Sequence, residues 1–167
     1  MYKVHTIGDC YVVNGYTGRK PASERTKQDM AIEAYNVVRI GFEMIEIIKK
    51  VRESATNEQL RALDMRIGIH TGDIIAGIIG TKIVRYDIFG QNVLIANKME
   101  SNGVPGKVVI SETTKRYLSM FSELELDKGF DFKFNEAVNC EAVGQVVDSY
   151  VVETIGDESV GDRSGMP

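Results

Sequence analysis

The amino-acid sequence predicts a single α+β domain. Three features favour this class: paired β-prone runs, one long helical stretch with a single apolar stripe, and a β-prone pair near the C-terminal end. At 167 residues and 43% hydrophobic content, the chain can bury one core but not two. We therefore expect one domain over residues 1–155. Residues 156–167 are rich in Gly, Ser and Asp, which predicts a disordered tail.

The N-terminal residues predict a tight hairpin. Tyr2 to Ile7 and Cys10 to Asn14 are β-prone, and Gly8 and Asp9 connect them. A two-residue connection with Gly first is typical of a type II′ turn. The pattern therefore places Asp9 at a hairpin tip, with a strand on either side.

A long helix is predicted over Lys27 to Glu53. Apolar residues recur there at steps of three and four, which indicates one buried stripe. Acidic residues lie near its start and basic residues near its end, as the helix dipole favours. The polar segment Ser54 to Leu63 is expected to end it.

The middle of the chain predicts strands followed by a helix. We expect Met65 to His70 and Ile74 to Ile79 to pair across Thr71-Gly72-Asp73, and Arg85 to Phe89 to form a third strand. A helix over Gln91 to Ser101 should stop at Asn102-Gly103, a sequence typical of a left-handed helix end.

The C-terminal third predicts a strand, a capped helix and a closing pair of antiparallel strands. Ser111 is a suitable N-cap for the helix that follows it. The predicted ranges are a strand over Lys107 to Ile110, a helix over Glu112 to Met120, and paired strands over Phe130 to Asn135 and Val146 to Glu153.

Composition excludes several classes of function. A net charge of −4 argues against a nucleic-acid partner, because such proteins usually carry a basic surface. No apolar run is long enough for a membrane span, and the N-terminus lacks a signal peptide. Cys10 and Cys140 are far apart, which suggests reduced, packed thiols rather than a disulfide or zinc site. We expect a cytoplasmic domain, whether or not its parent protein is membrane-anchored.

Several long motifs resemble one known family. The segments HTIGDCYVV, MRIGIHTGDIIAGIIG, RYDIFGQNVLIANKMES and GKVVISETT occur in the order and spacing of the class III adenylyl and guanylyl cyclase catalytic domain. The resemblance spans Tyr2 to Glu153. It implies a ferredoxin-like mixed sheet with flanking helices, here without the family's first strand and helices. It also implies head-to-tail pairing with a second cyclase domain, or homo-oligomers of the isolated chain.

The resemblance implies a reaction and a cofactor. In this family GTP or ATP is converted to the 3′,5′-cyclic monophosphate and pyrophosphate with two Mg²⁺ or Mn²⁺ ions. Asp9 matches one of two metal-binding aspartates, whereas the other belongs to the absent first strand. The chain alone is therefore expected to hold half a metal site and to be inactive. Without the resemblance, Asp9 would be explained by the turn preference of aspartate.

Arg66 matches a family position that contacts the β- and γ-phosphates, a role that suits its forked guanidinium. The alternative is a solvated arginine at a strand edge. Leu94 and Lys98 stand where the transition-state half of a cyclase pair carries asparagine and arginine. That half's phosphate-binding lysine is also missing near Ala142. We therefore interpret the chain as the metal-donating half.

The purine is not determined by the matching residues. His5 and Asp87 occupy the base-reading positions but form neither the adenine nor the guanine pair of the family. The similarity of VLIANKMESNG to two-domain protist cyclases gives a slight lean to guanylyl. His70 is expected to be structural, and Asp73 to lie in a turn away from the metals.

Two other functions stay open. The chain could be a non-catalytic regulatory or dimerisation half of a cyclase pair, although retention of both Asp9 and Arg66 argues against this. A two-metal nucleotidyltransferase of the polymerase-palm kind would share the core and the metal chemistry. The acidic charge disfavours that last class.

Overall fold

Eight β-strands and four α-helices form the part of the chain that the computed structural model describes, residues 1–16, 20–82 and 84–155. The predicted tail over residues 156–167 lies outside these ranges. In chain order the elements are β1 (Tyr2–Ile7), β2 (Cys10–Asn14), α1 (Lys27–Ser54), α2 (Glu58–Arg61), β3 (Ile67–Ile69), β4 (Ile75–Ile79), β5 (Arg85–Phe89), α3 (Gln91–Ser101), β6 (Val108–Ser111), α4 (Glu112–Ser119), β7 (Phe130–Cys140) and β8 (Gln145–Thr154).

The core is built on a four-stranded mixed sheet with the strand order β3-β6-β8-β7. β3 runs parallel to β6, and the other neighbours are antiparallel. Helices α1 and α4 cover one face, where Ala31 and Val38 pack with Ile110, Leu118 and Val152. Helix α3 covers the other face, with a second apolar cluster of Ile95, Met99, Val138 and Cys140. The result is the helix-covered mixed α+β sheet expected from the sequence.

A β-bulge in β7 allows one strand to serve both apolar clusters. The register with β8 shifts between Phe134 and Glu136. An extra residue in one strand exchanges the faces on which later side chains lie. Phe130 and Phe132 therefore pack towards α1, whereas Val138 and Cys140 pack towards α3.

Two hairpins lie outside the hydrogen-bonding of this sheet. β1 pairs with β2, and β4 pairs with β5. The two hairpins contact each other through β1 and β5, where the rings of Tyr2 and Tyr86 meet edge to face at 5.1 Å between centroids. The metal-site candidate and the base-position residues therefore lie on connected β-ribbons beside the core sheet.

Most predicted elements are confirmed. The first hairpin has the predicted strands, and its Gly8 has φ of +60° whereas Asp9 does not have positive φ, as a type II′ turn requires. Helix α1 extends one residue beyond its predicted end, and α3 has the predicted bounds. Ser111 caps α4 by accepting a hydrogen bond from the backbone N–H of Thr114. The capping box of Thr26 and Asp29 at the start of α1 was not predicted.

Other predictions are wrong. Met65–His70 does not pair with Ile74–Ile79: β3 pairs with β6, which is 41 residues away at Ile67 and Val108, and β4 pairs with β5. A local pattern favours the nearest strand, but burial of β3 in the core sheet decides its partner. The polar segment after α1 contains the short helix α2. Cys140 is packed as expected, but Cys10 is exposed; both thiols are free.

The predicted left-handed stop of α3 is also wrong. Asn102 has φ of −98°, and its N–H donates to the carbonyls of Glu100 and Lys98. Gly103 is instead required by close packing, because a Cβ there would lie 2.8 Å from the carbonyl oxygen of Glu100.

Among the helices of the described ranges, none combines the length and the apolar composition that a membrane span requires.

Candidate functional site

Asp9 lies at the exposed tip of the β1–β2 hairpin, as the sequence predicts. Its carboxylate has no hydrogen bond or ion pair with another described residue. Ile7 pairs with Cys10 directly behind the turn, so the hairpin presents the carboxylate at a defined place on a short connection. An exposed carboxylate without a protein partner is a suitable ligand for a hard divalent cation.

Arg66 lies directly before β3 and is half-exposed. Its Nε donates to Oε1 of Glu100, near the end of α3, over 3.0 Å. Gly68 makes this approach of α3 to β3 possible, because a Cβ at Gly68 would meet the backbone nitrogen of Glu100 at 2.0 Å. The neighbouring strand end is held by a hydrogen bond from Gly106 N–H to the carbonyl of Met65, 2.8 Å long.

Cys10 follows Asp9 directly in the first hairpin. The pKa of its thiol is raised, mainly by partial burial and then by the negative charges of Glu100 and Asp9.

The base-position residues His5 and Asp87 come together between the two hairpins. Nδ1 of His5 lies 3.2 Å from Oδ1 of Asp87, and a terminal nitrogen of Arg85 lies 3.3 Å from Oδ2 of Asp87. Asp87 is only 6% exposed, and its Oδ1 also accepts from the backbone N–H of Ile88. The carboxylate is therefore engaged within this chain.

Leu94 and Lys98 lie four residues apart on the exposed side of α3. The opposite side of the same helix buries Ile95 and Met99. Leu94 has no group that could donate a hydrogen bond, so this face of α3 lacks the polar pair expected of a transition-state half.

His70 has a structural environment. Its Nδ1 lies 2.7 Å from Oγ of Ser111 and its Nε2 lies 3.0 Å from Oδ1 of Asn92. Because the amide oxygen of Asn92 can only accept, Nε2 carries the proton and Nδ1 accepts from the serine hydroxyl. Burial lowers the pKa of His70, and the hydrogen bond to Asn92 opposes this effect only in part. His70 is therefore neutral at pH 7 and joins β3 to the cap of α4.

A cavity of about 290 Å³ lies beside this network, but Asp9, Arg66 and Glu100 do not line it. Two of its polar lining residues are already hydrogen-bonded: the side-chain amide of Asn92 donates to the carbonyl of Asp73 over 2.7 Å, and the hydroxyl of Thr71 lies 3.1 Å from that of Thr114. Asp73 lies between β3 and β4, and its carbonyl oxygen is the acceptor in this contact with Asn92. We assign this cavity no ligand.

The donor groups present fit part of a divalent metal site. Asp9 offers free carboxylate oxygens, but no three His, Cys, Asp or Glu side chains cluster within the described residues. A hard cation normally takes six or more oxygen ligands, several of which are water or substrate phosphate for Mg²⁺. Asp9 could therefore contribute one ligand to a site that other groups complete.

Sequence reasoning missed Glu100 and Arg85. Glu100 is 34 positions from Arg66, and no local pattern links a helix residue to a strand residue at that distance. Arg85 is predicted only as the start of a strand, although it lies two residues before Asp87, a spacing that places both on one face of β5.

Comparisons with known proteins agree with one another. The family model for the adenylate and guanylate cyclase catalytic domain matches residues 1–154. Guanylate cyclase alpha of Plasmodium falciparum (isolate 3D7) is 42% identical over 119 residues, which cover 71% of this chain and 3% of that protein. Guanylate cyclase of Toxoplasma gondii (strain ATCC 50853 / GT1) is 37% identical over 163 residues, which cover 94% of this chain and 3% of that protein.

Among solved structures, the guanylate cyclase domain of RhGC from Catenaria anguillulae, in complex with GTP, matches with a TM-score of 0.65 and 25% identity. The match covers 92% of this chain and 72% of that domain. The chain thus spans only a few per cent of the two protozoan relatives but most of a solved catalytic domain.

Proposed function

The chain belongs to the adenylate and guanylate cyclase catalytic domain family, and from this we propose that it is the metal-donating half of a purine nucleotide cyclase. The reaction is the conversion of a purine nucleoside triphosphate to its 3′,5′-cyclic monophosphate. The 3′-hydroxyl releases its proton to water and its oxygen forms a bond to the α-phosphorus. The bond from that phosphorus to the oxygen bridging to the β-phosphate breaks, and pyrophosphate leaves with the electron pair. The observation that carries the proposal is the match along residues 1–154 together with an Asp9 carboxylate at the hairpin tip that has no partner among the described residues.

Two residues of this chain have direct roles in the proposal. Asp9 is one ligand for Mg²⁺ or Mn²⁺, and a pair of such ions supplies acidity at the 3′-hydroxyl and neutralises phosphate charge. Arg66 binds the β- and γ-phosphates, since a guanidinium donates two parallel hydrogen bonds to phosphate oxygens. Glu100 accepts a hydrogen bond from Nε of this arginine and leaves its terminal nitrogens available.

A second cyclase domain supplies what this chain lacks. Leu94 cannot hydrogen-bond the substrate, so the polar groups of the transition-state half must come from the partner. The β4–β5 hairpin offers a contact surface, because it exposes large apolar side chains on both of its faces. Ile75, 72% exposed, lies opposite the exposed Phe89 on one face, and Ile78, 74% exposed, lies on the other. Exposed apolar side chains grouped on one short element are typical of protein interfaces.

We propose GTP rather than ATP as the purine nucleotide. The support is the set of relatives, since the two protozoan proteins are named guanylate cyclases. His5 and Asp87 give no further guidance, because the Asp87 carboxylate is engaged by Arg85 and the Ile88 N–H.

The test is reconstitution. The chain alone should give negligible cyclic nucleotide with Mn²⁺ and GTP or ATP, whereas the chain paired with a transition-state cyclase domain should be active. In that pair, Asp9→Asn should lower kcat/KM by about 100-fold or more, as expected for about 3 kcal/mol of lost charge stabilisation.

Asp73→Asn is the matched control, because Asp73 also follows a glycine in an exposed loop. It should leave activity within about twofold. Full activity of the Asp9→Asn pair would support the other candidate, a regulatory half without a metal role. Strong cyclase activity of the chain by itself would contradict the proposed division of labour.

A further inference from the structure

The contact between Arg66 and Glu100 joins two elements that are distant in the sequence. Arg66 is 46% exposed at its side chain and Glu100 is 31% exposed, and Nε to Oε1 is 3.0 Å. An ion pair this exposed contributes little to stability. The ion pair therefore matters more for the conformation of the Arg66 side chain than for the stability of the fold.

The backbone on both sides of this pair is held in place. Gly68 packs directly against the Met99–Glu100 peptide of α3, and Gly103 N–H donates to the Glu100 carbonyl over 2.9 Å. On the strand side, Gly106 N–H donates to the Met65 carbonyl over 2.8 Å. The two side chains therefore start from backbone positions that are fixed relative to each other.

Glu100 uses only one edge of the guanidinium. The acceptor is bound through Nε, and the two terminal nitrogens of Arg66 have no acceptor elsewhere in the described ranges. Those nitrogens carry four of the five N–H donors of the group. A phosphate can be bound bidentately through this free end while the Nε contact persists.

We propose that Glu100 is a positioning residue for phosphate binding, which holds Arg66 by its Nε and presents the two terminal nitrogens to the β- and γ-phosphates. This inference rests on the proposed function. Glu100 does not touch the substrate; it restricts the rotamers of a long side chain that would otherwise lose entropy on binding.

The test uses the active pair of this chain with its partner cyclase domain. Glu100→Ala should raise KM for the nucleoside triphosphate about tenfold, as loss of a group that orients a ligand-binding side chain typically does, and leave kcat within about twofold. Glu100→Gln retains an oxygen that accepts from Nε, so it should restore KM to within about threefold of wild type.

Glu153→Ala is the matched control. Glu153 is 33% exposed and pairs with Lys107 and Lys133, so its removal deletes a surface ion pair of similar exposure elsewhere. It should leave KM unchanged. If Glu100→Ala does not fold, Glu100→Asp withdraws the carboxylate by one methylene and should raise KM in the same direction.

A second readout does not depend on turnover. Binding of pyrophosphate with Mn²⁺ to the assembled pair, measured by calorimetry, should weaken about tenfold in Glu100→Ala. Binding of the purine nucleoside should not change. A merely structural role of Glu100 would instead weaken both ligands and lower kcat.

Two results would overturn the inference. An unchanged KM in Glu100→Ala would remove the positioning role, and a lowered KM would mean that Glu100 competes with phosphate for Arg66. If the proposed phosphate-binding role of Arg66 is itself wrong, Arg66→Ala will also leave KM and pyrophosphate binding unchanged. If only the inference about Glu100 is wrong, Arg66→Ala will still raise KM and weaken pyrophosphate binding.

Discussion

Nδ1 of His5 lies 3.2 Å from Oδ1 of Asp87, and this contact joins the β1–β2 hairpin to the β4–β5 hairpin. Asp87 is almost fully buried, and Arg85 supplies a second, positively charged neighbour at 3.3 Å. A buried carboxylate needs such partners, because desolvation of an unpaired charge is costly. The residues that match base-reading positions in the family therefore lie against each other where the two ribbons meet.

The first prediction concerns purine selection. His5→Gln should leave the ratio of kcat/KM for GTP and ATP within about threefold, because Asp87 keeps Arg85 and the Ile88 N–H as partners and does not become free to bind a base. The measurement is steady-state kinetics of the reconstituted pair with both nucleotides. A shift of tenfold or more would show that this half reads the purine.

The second prediction concerns pH. Because burial lowers the pKa of His70 below its ordinary value of 6.5, the unfolded chain binds a proton more readily than the folded chain. The contribution of His70 to stability is therefore complete above about pH 7 and is lost as the pH falls through 6.5 towards the folded pKa. Urea unfolding at pH 7.5, 6.5 and 5.5 should show this decline.

His70→Gln is the control for the pH prediction. It keeps a polar side chain between Ser111 and Asn92 but cannot titrate, so its stability should vary less over the same range. The carboxylates titrate mainly below this window. Equal slopes in both proteins would contradict the prediction.

The third prediction concerns the close packing of β3 and α3. Gly68→Ala would place a Cβ 2.0 Å from the Glu100 nitrogen and 2.4 Å from the Met99 carbonyl carbon, both in the backbone. The helix must move, so the free energy of unfolding should fall by about 3 kcal/mol. Gly77→Ala is the matched control, since no atom lies within 4 Å of the position that its added methyl group would occupy and its φ is not positive. A loss of stability no larger than that of Gly77→Ala would contradict this account.

The fourth prediction concerns the partner surface. Ile78→Asp on the exposed β4–β5 hairpin should weaken pairing with the second cyclase domain by about tenfold or more, because an interface core excludes unpaired charge. Sedimentation velocity of the mixture gives the measurement. Ile47→Asp, on the exposed side of α1, should leave pairing unchanged. Unchanged pairing of Ile78→Asp would place the interface elsewhere, and equal weakening by both variants would show that the effect is not specific to the hairpin.

Local patterns in the sequence were sufficient for the elements and for Asp9. The turn chemistry of Gly8-Asp9, the period of the apolar stripe in α1 and the Ser111 cap all act within a few residues, so they can be read without the fold. The same holds for the apolar side of α3, and the motif resemblance then gave Asp9 and Arg66 their expected roles.

Only the tertiary structure decided which distant groups meet. The parallel pairing of β3 with β6, the hold of Glu100 on Arg66 across 34 positions, and the contact of His5 with Asp87 have no local signature. Each depends on burial and backbone packing between elements, such as the approach of α3 to Gly68. Short-range periodicity follows from the order of neighbouring residues, whereas the pairing of distant strands depends on how the whole core packs. The strands were therefore found from the sequence, but their partners were mispredicted.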